Sequence, residues 1–398
     1  MNINNRREFL KKSLLGIPAA GLVPGVMFGN MKPSSGPPEL PARILGRTGI
    51  KAPLISFGTS GALDRGFIKA AYEGGIKMFF SATYYGEGSN ERLVGEGLKG
   101  YPRDSFVVGT AGPPDELNTN TGTFRRAFNV DNYLKKAEES LKRFGLDYVD
   151  FFLFPYAGRK ETVQNKDVLK AMDKLKKEGI TRFTGIASHS DTEEALKAAA
   201  DSGIYDVAMI AYNFKVKDKE SLHASIDYAV RKGMGIVAMK SASGVVREKA
   251  GSPLNSDAML KWVLKNENIT SIVSGMTSLE QLQKNLAMVR NLKLSDQELK
   301  YLETAMLESG LYCQQCKKCL PQCPYNLDIP ALMRSYMYAY GYKNLAQARH
   351  TLDEINFNGQ LCETCQTCKV SCTSGFDIKN KITDIARLKD IPEDLILA

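Results

Sequence analysis

Cys313, Cys316, Cys319 and Cys323 are separated by two, two and three residues, and Pro324 follows. Cys362, Cys365, Cys368 and Cys372 repeat that spacing, with Thr373 in place of the proline. These eight are all the cysteines of the chain, and none precedes residue 313. Such crowding at one end marks a dedicated module, whereas a disulfide scaffold would spread its cysteines. Thiolates are soft ligands that suit iron–sulfur clusters. Three in a tight loop reach three irons of one cubane, and the fourth points to the neighbouring cluster. The spacing therefore predicts two [4Fe–4S] clusters, one held by Cys313, Cys316, Cys319 and Cys372, the other by Cys362, Cys365, Cys368 and Cys323. Zinc sites built on Cys-x-x-Cys pairs and a set of four disulfides are the rival uses of these thiols, and the three-cysteine runs fit both less well.

The elements that must carry the rest of the chemistry alternate. Apolar runs of strand length occur at Leu54–Gly58, Lys77–Ala82, Phe106–Thr110, Tyr148–Phe154, Phe183–Ser188, Val207–Tyr212, Gly235–Met239 and Ser271–Ser274. Each is followed by a helical stretch; Lys135–Phe144 and Val168–Lys177 show apolar residues at three-to-four spacing. Gly179, Gly203 and Gly233 stand where helices should stop. Short buried strands alternating with amphipathic helices imply a parallel sheet. Eight such units predict an α/β fold, a (β/α)₈ TIM barrel, over residues 42–310. An open doubly wound sheet would usually bring a glycine-rich fingerprint after its first strand, and Gly58-Thr59-Ser60-Gly61 is not one.

Several segments resemble the aldo/keto reductase family: Leu45-Gly46-Arg47-Thr48-Gly49, Ser56-Phe57-Gly58-Thr59, and Gly75-Ile76 through Ser81-Ala82 to Tyr85-Gly86 with Asn90-Glu91 and Gly95. Leu146–Asp150, Tyr212-Asn213, and Ser274-Gly275 leading to Leu282 and Asn285 match as well. The resemblance implies carbonyl reduction with a nicotinamide, NAD(P)H, in which a tyrosine acts as general acid beside an Asp, a Lys and a His. A phenol with a pKa near 10 needs such neighbours to work at neutral pH. The tyrosine falls on Tyr85, but the other three positions fall on Phe80, Ala111 and Pro155, which cannot move a proton. The cofactor contacts fall on Ser188, His189, Met209, Tyr212, Asn213 and Gly275, with Met276 and Gln281 where cations often meet a 2′-phosphate. Of the three histidines, His189 sits at a strand's C-terminal end, where sites of this fold lie. His223 reads as structural, and His350 as surface or packing.

Residues 311–398 resemble helical two-cluster ferredoxins fused to larger oxidoreductases, with helices expected at Ile329–Tyr342 and Leu345–Ile355 and a last one after Phe376. Met333, Tyr336, Met337 and Tyr338 read as core and cluster packing. At the other end, Arg6-Arg7 with Phe9-Leu10-Lys11 resembles a twin-arginine signal, followed by an apolar run too broken for a membrane span. That implies a signal at 1–30, a linker at 31–41, the twin-arginine translocation machinery as partner and a periplasmic protein exported folded, its clusters already loaded.

Composition sets the remaining bounds. The chain of 398 residues is 43% hydrophobic and 24% charged, which excludes a mostly disordered protein. Lys+Arg 53 against Asp+Glu 44 gives +9. Two clusters at roughly −2 each and loss of the signal's net +3 reduce this to about +2, so nucleic acid is not an expected partner. The function expected from the whole is an exported oxidoreductase passing electrons between two clusters and a small-molecule substrate at the barrel mouth, with a redox partner protein. A barrel that serves only as scaffold for an electron-transfer module is the alternative.

Overall fold

The computed structural model describes residues 38–396 apart from residues 63, 120, 217, 243, 247–253, 309, 358–361, 363–364, 366–367 and 393–394. The expected signal and residues 31–37 lie outside the described residues. Eight strands run β1 (Ile55–Gly58), β2 (Met78–Phe80), β3 (Val107–Ala111), β4 (Val149–Pro155), β5 (Thr181–Ser188), β6 (Val207–Ala211), β7 (Gly235–Met239) and β8 (Ser271–Gly275). Each is parallel to its neighbours, and β8 pairs with β1 from Ile272↔Ile55 to Gly275↔Gly58, closing the barrel.

The strands are short and apolar because both faces are covered. In β4 all seven residues are buried. Phe151 and Leu153 join Met78, Phe80, Val207 and Val237 inside the barrel. Phe152 and Phe154, one residue on, pack outward against the helices. The two-residue period of a strand thus builds two cores from one run of sequence.

The helices of the outer layer begin on side-chain caps. Asn129 accepts from the Asn132 amide at the start of Val130–Phe144, and Ser295 and Glu298 form a reciprocal capping box for Asp296–Leu307. Gly179, Gly203 and Gly233 take the left-handed conformation where helices end, as the sequence predicts. Below the barrel, Ala42–Ile44 pairs antiparallel with Lys51–Pro53 and brings Leu45 into the barrel interior. The expected linker needs correction at its end. Leu40 is buried in the main core and the Leu54 amide donates to the Pro41 carbonyl at 2.8 Å, so residues 38–41 pack on the barrel.

The C-terminal part has its own core. Helices Ile329–Tyr340, Leu345–Glu354 and Ile378–Ala386 pack Leu332, Met333, Leu352, Ile382 and Ile385 together with Cys319 and Cys323. This unit lies over the C-terminal ends of the barrel strands. The Leu311 amide donates to the Val245 carbonyl at 3.1 Å, and Met337 packs on Gly244 in the loop after β7.

Candidate functional site

Among the described residues, which include all eight cysteines, no disulfide forms. Cys313 has Cys319, Cys372 and Cys316 as its electrostatic neighbours, and Cys362 has Cys323, Cys368 and Cys365. Each group takes three thiols from one run and the last thiol of the other. The second group borders a cavity lined also by Leu327, Ile329, Val370, Ile378 and Ile382, with Tyr325, Lys369 and Lys379. Among the described residues no three His, Cys, Asp or Glu side chains converge on a single-ion site. Two groups of four sulfurs suit two compact clusters. The first run winds through Gln315 (φ 52°) and Lys317 (φ 59°), left-handed conformations that non-glycine residues rarely adopt. Amides point at sulfur in both runs: Gln315 N donates to Cys313 Sγ at 3.4 Å, and Ser374 N to Cys372 Sγ at 3.3 Å. Burial pushes the Cys313 thiol up to about 12 and the Cys362 thiol up to about 11, and the neighbouring sulfurs push the same way. Metal must therefore displace protons to bind here.

The second constellation is the barrel mouth. Tyr85 follows β2 in a turn that buried polar contacts hold. Asn90 Oδ1 accepts from Thr59 Oγ1 at 2.6 Å and from Ser81 Oγ at 2.7 Å, and Asn90 Nδ2 donates to the Thr59 carbonyl at 2.7 Å. Glu91, fully buried, accepts from Thr110 Oγ1, Ser140 Oγ and Arg143 Nε, tying the following helix Ser89–Leu98 to β3 and to Val130–Phe144. Phe80 stacks on Phe151 at 6.0 Å between ring centroids, and Ala111 lies in the same interior cluster. Pro155 ends β4. No proton-transfer group stands at any of these three positions.

A cation reaches Tyr85 from another strand. Lys240 directly follows β7, with φ 56°, and Asn213 Nδ2 donates to its carbonyl at 3.0 Å. Burial opposes its charge, but Tyr342, Tyr338 and Tyr85 around it hold its pKa above the usual lysine value. Its Nζ lies 4.8 Å from the Tyr342 ring centroid and 5.3 Å from that of Tyr338. Burial pushes the Tyr85 hydroxyl up to about 12, with Lys240 pulling the other way. His189 is driven down to about 3 by burial, with Lys240 and Arg334 adding to the effect, so its imidazole is neutral. His189 Nδ1 is buried without a hydrogen-bond partner. Tyr156 stacks on the His189 ring at 6.4 Å.

The roof over these groups is the C-terminal unit. Tyr338 and Tyr342 stand over Lys240, the Arg334 charge acts on His189 and Tyr156, and the Glu354 charge acts on Tyr156. Tyr312, one residue before Cys313, donates its hydroxyl to the His189 carbonyl at 3.0 Å. Tyr84, Tyr85, Tyr156, His189, Lys240, Tyr338 and Tyr342 lie deep between barrel and roof, yet each keeps part of its surface accessible. These partly accessible side chains line the crevice where barrel and roof meet.

The residues expected to hold a cofactor have different surroundings. His189 faces the crevice. Tyr212 does not: its hydroxyl shares a 2.6 Å hydrogen bond with His223 Nε2 and its ring packs on Trp262 in the helix layer. Ser188 donates to the Ser190 carbonyl at 3.0 Å, Asn213 braces Lys240, and Gly275 lies exposed on the rim. His223 is structural and His350 exposed. Tyr336 packs in the C-terminal core as expected; Tyr338 packs against that core and its ring also meets Lys240. Sequence reasoning missed Lys240, Arg334 and the roof tyrosines. A lysine closing the apolar run Gly235–Met239 was the one local signal for them.

Comparison with known proteins matches this architecture. The aldo/keto reductase family model matches residues 59–257, half of the chain, and the 4Fe-4S dicluster domain model matches residues 312–377. L-galactose dehydrogenase of Arabidopsis thaliana is 28% identical over 316 residues, covering 68% of this chain and 95% of the relative. L-glyceraldehyde 3-phosphate reductase of Escherichia coli K12 is 24% identical over 337 residues, covering 69% and 94%. Among solved structures, an aldo-keto reductase from Bacillus halodurans shares the fold with TM-score 0.53 at 21% identity, covering 67% of this chain and 96% of its own. One from Klebsiella pneumoniae in complex with NADPH gives 0.50 at 22%, covering 67% and 95%. With the closed barrel and the matched span in agreement, the chain belongs to the aldo/keto reductase family, as an oxidoreductase that carries a 4Fe-4S dicluster domain behind its barrel.

Proposed function

We propose that this protein is an exported iron–sulfur oxidoreductase in which two [4Fe–4S] clusters exchange electrons with a small-molecule substrate in the crevice between barrel and roof. The observation that supports this most directly is the hydrogen bond from Tyr312 to the His189 carbonyl, because it ties the residue beside the cluster ligand Cys313 to the barrel mouth. In this reading Cys313, Cys316, Cys319 and Cys372 hold one cluster, and Cys362, Cys365, Cys368 and Cys323 the other. When bound, each cluster supplies or accepts one electron.

Interconverting a carbonyl and an alcohol moves two electrons and two protons, so two clusters match the electron count. An external electron-carrier protein refills or drains them. Tyr85 stays protonated at neutral pH and gives the first proton to the carbonyl oxygen; the second comes from water that reaches the crevice. Neutral His189 orients the substrate by hydrogen bonding. Nicotinamide is the competing source of electrons, with Ser188, His189, Tyr212, Asn213 and Gly275 as its expected contacts.

The test is anaerobic isolation of the full chain. About eight irons and matching acid-labile sulfide per chain are expected. Dithionite should bleach the visible cluster absorbance, a carbonyl substrate should restore it, and Tyr85→Phe should slow that restoration roughly a hundredfold. Zinc without labile sulfide would sink the proposal. Clusters that reduce but never reoxidise with any carbonyl would favour the scaffold reading, and bleaching by NADPH would assign the electron source to nicotinamide. Replacing Arg6 and Arg7 with lysine should abolish export of the chain, read by fractionating cells.

A further inference from the structure

Enclosed cations of the barrel meet carboxylates or rows of backbone carbonyls: Arg43 donates to the carbonyls of Leu264, Asn266 and Ile269, and Lys215 to those of Ala305 and Glu308. Arg143 meets Glu91, Arg103 meets Asp150, Lys176 meets Asp206, and Lys261 meets Glu298. Lys240 differs. Its neighbours are the phenols of Tyr342, Tyr338 and Tyr85, and among the described residues it forms no ion pair with a carboxylate. Phenol rings and hydroxyls attract an ammonium but do not neutralise it. A cation withdrawn from water without a counter-charge is costly to keep, and such sites persist where a ligand completes them. A second group nearby is also incomplete, since His189 Nδ1 is buried with no partner. The backbone beneath Lys240 is held in a conformation unusual for lysine, φ 56°, by the hydrogen bond from Asn213. Such local strain is kept where a side chain must be aimed.

We propose that the crevice binds a small carbonyl compound bearing a carboxylate, with the carboxylate on Lys240 Nζ and the carbonyl oxygen turned to Tyr85 and His189. This rests on the reading that the barrel mouth is the substrate site, and it deepens that reading by naming the substrate class. The positive charge that Ala111 cannot supply from β3 enters from β7 instead. It serves as an anchor for the substrate's anion. The roof tyrosines exclude bulk water around the ion pair, which strengthens it, and they set an upper bound on substrate size.

Isothermal titration of the cluster-loaded, oxidised full-length protein under argon tests this without turnover. Glyoxylate is the probe, and glycolaldehyde, with the same two carbons and no carboxylate, is its neutral control. Glyoxylate should bind at least roughly tenfold more tightly than glycolaldehyde. Lys240→Met should weaken glyoxylate roughly tenfold or more, and Lys240→Arg should keep most of the affinity. An unshifted barrel transition by calorimetry, together with unchanged visible cluster absorbance, confirms that each variant is folded, and Lys240→Gln serves if Lys240→Met is not. Equal affinity for the two probes, no glyoxylate binding at millimolar concentration, or unaltered binding in the folded Lys240 variants would overturn the proposal. No electron donor is present, so a failure of cluster-driven catalysis leaves this outcome standing, and the reverse also holds.

Discussion

His189 shows how one side chain carries the state of the whole mouth. Its imidazole is held at about 3 against an ordinary 6.5, through burial first and then the Lys240 and Arg334 charges. The folded protein therefore refuses a proton that the unfolded chain accepts below about pH 6.5. Stability linked to this group is intact above that pH and falls as pH drops toward 3. Between pH 7.5 and 5.5 the wild type should lose roughly 1 kcal/mol through His189 alone, and His189→Asn should lose that much less. Anaerobic denaturant unfolding of both proteins at the two pH values measures the difference; identical pH slopes would remove His189 from the account. Tyr85 and His189 were readable in the sequence because a motif and a strand end pointed to them. Lys240 was not, because its value depends on Tyr338 and Tyr342, about a hundred residues later in the chain.

At the scale of elements, the cysteine loops carry the sharpest test. The thiols of each run gather with one thiol from the other, Cys372 with the first loop and Cys323 with the second. Cys372→Ser should thus lose the cluster of the first loop. Alkylation with mass spectrometry should find Cys313, Cys316 and Cys319 reactive while Cys362, Cys365 and Cys368 stay protected, and Cys323→Ser should reverse the pattern. If each run held its own cluster, Cys372→Ser would expose Cys362, Cys365 and Cys368 instead. The strands were equally legible, since apolar runs bounded by turns recur eight times, and all eight fall where the sequence placed them. The residues near position 40 misled because proline and glycine suggested a linker, while Leu40 finds a buried place that only the folded barrel provides.

For the whole molecule, the barrel core and the C-terminal core are separate clusters of side chains, and the second includes two cluster ligands, Cys319 and Cys323. A small core that contains its own metal ligands depends on the metal for stability. Calorimetry of the native protein should show two transitions. Removing iron with a chelator should abolish the C-terminal one and shift the barrel's midpoint by less than about 5 °C. It should also raise the reactivity of Lys240 toward amine reagents, because the roof then leaves the mouth. A single transition that moves as a whole on iron removal would show instead that the two units fold together.

What the sequence determined by itself was whatever repeats locally: the period of apolar runs that makes a parallel barrel, the spacing of thiols that suits clusters, and the loss of proton-transfer groups at Phe80, Ala111 and Pro155. These follow from neighbours along the chain, whose geometry the backbone dictates. The tertiary structure decided which faces meet. It turned Tyr212 into the helix layer and lowered the C-terminal helices onto the mouth. It also set Lys240 beside Tyr85 under a roof of phenols. A side chain's charge, reach and solvent are set by contacts between segments far apart in sequence, and no local spacing records them.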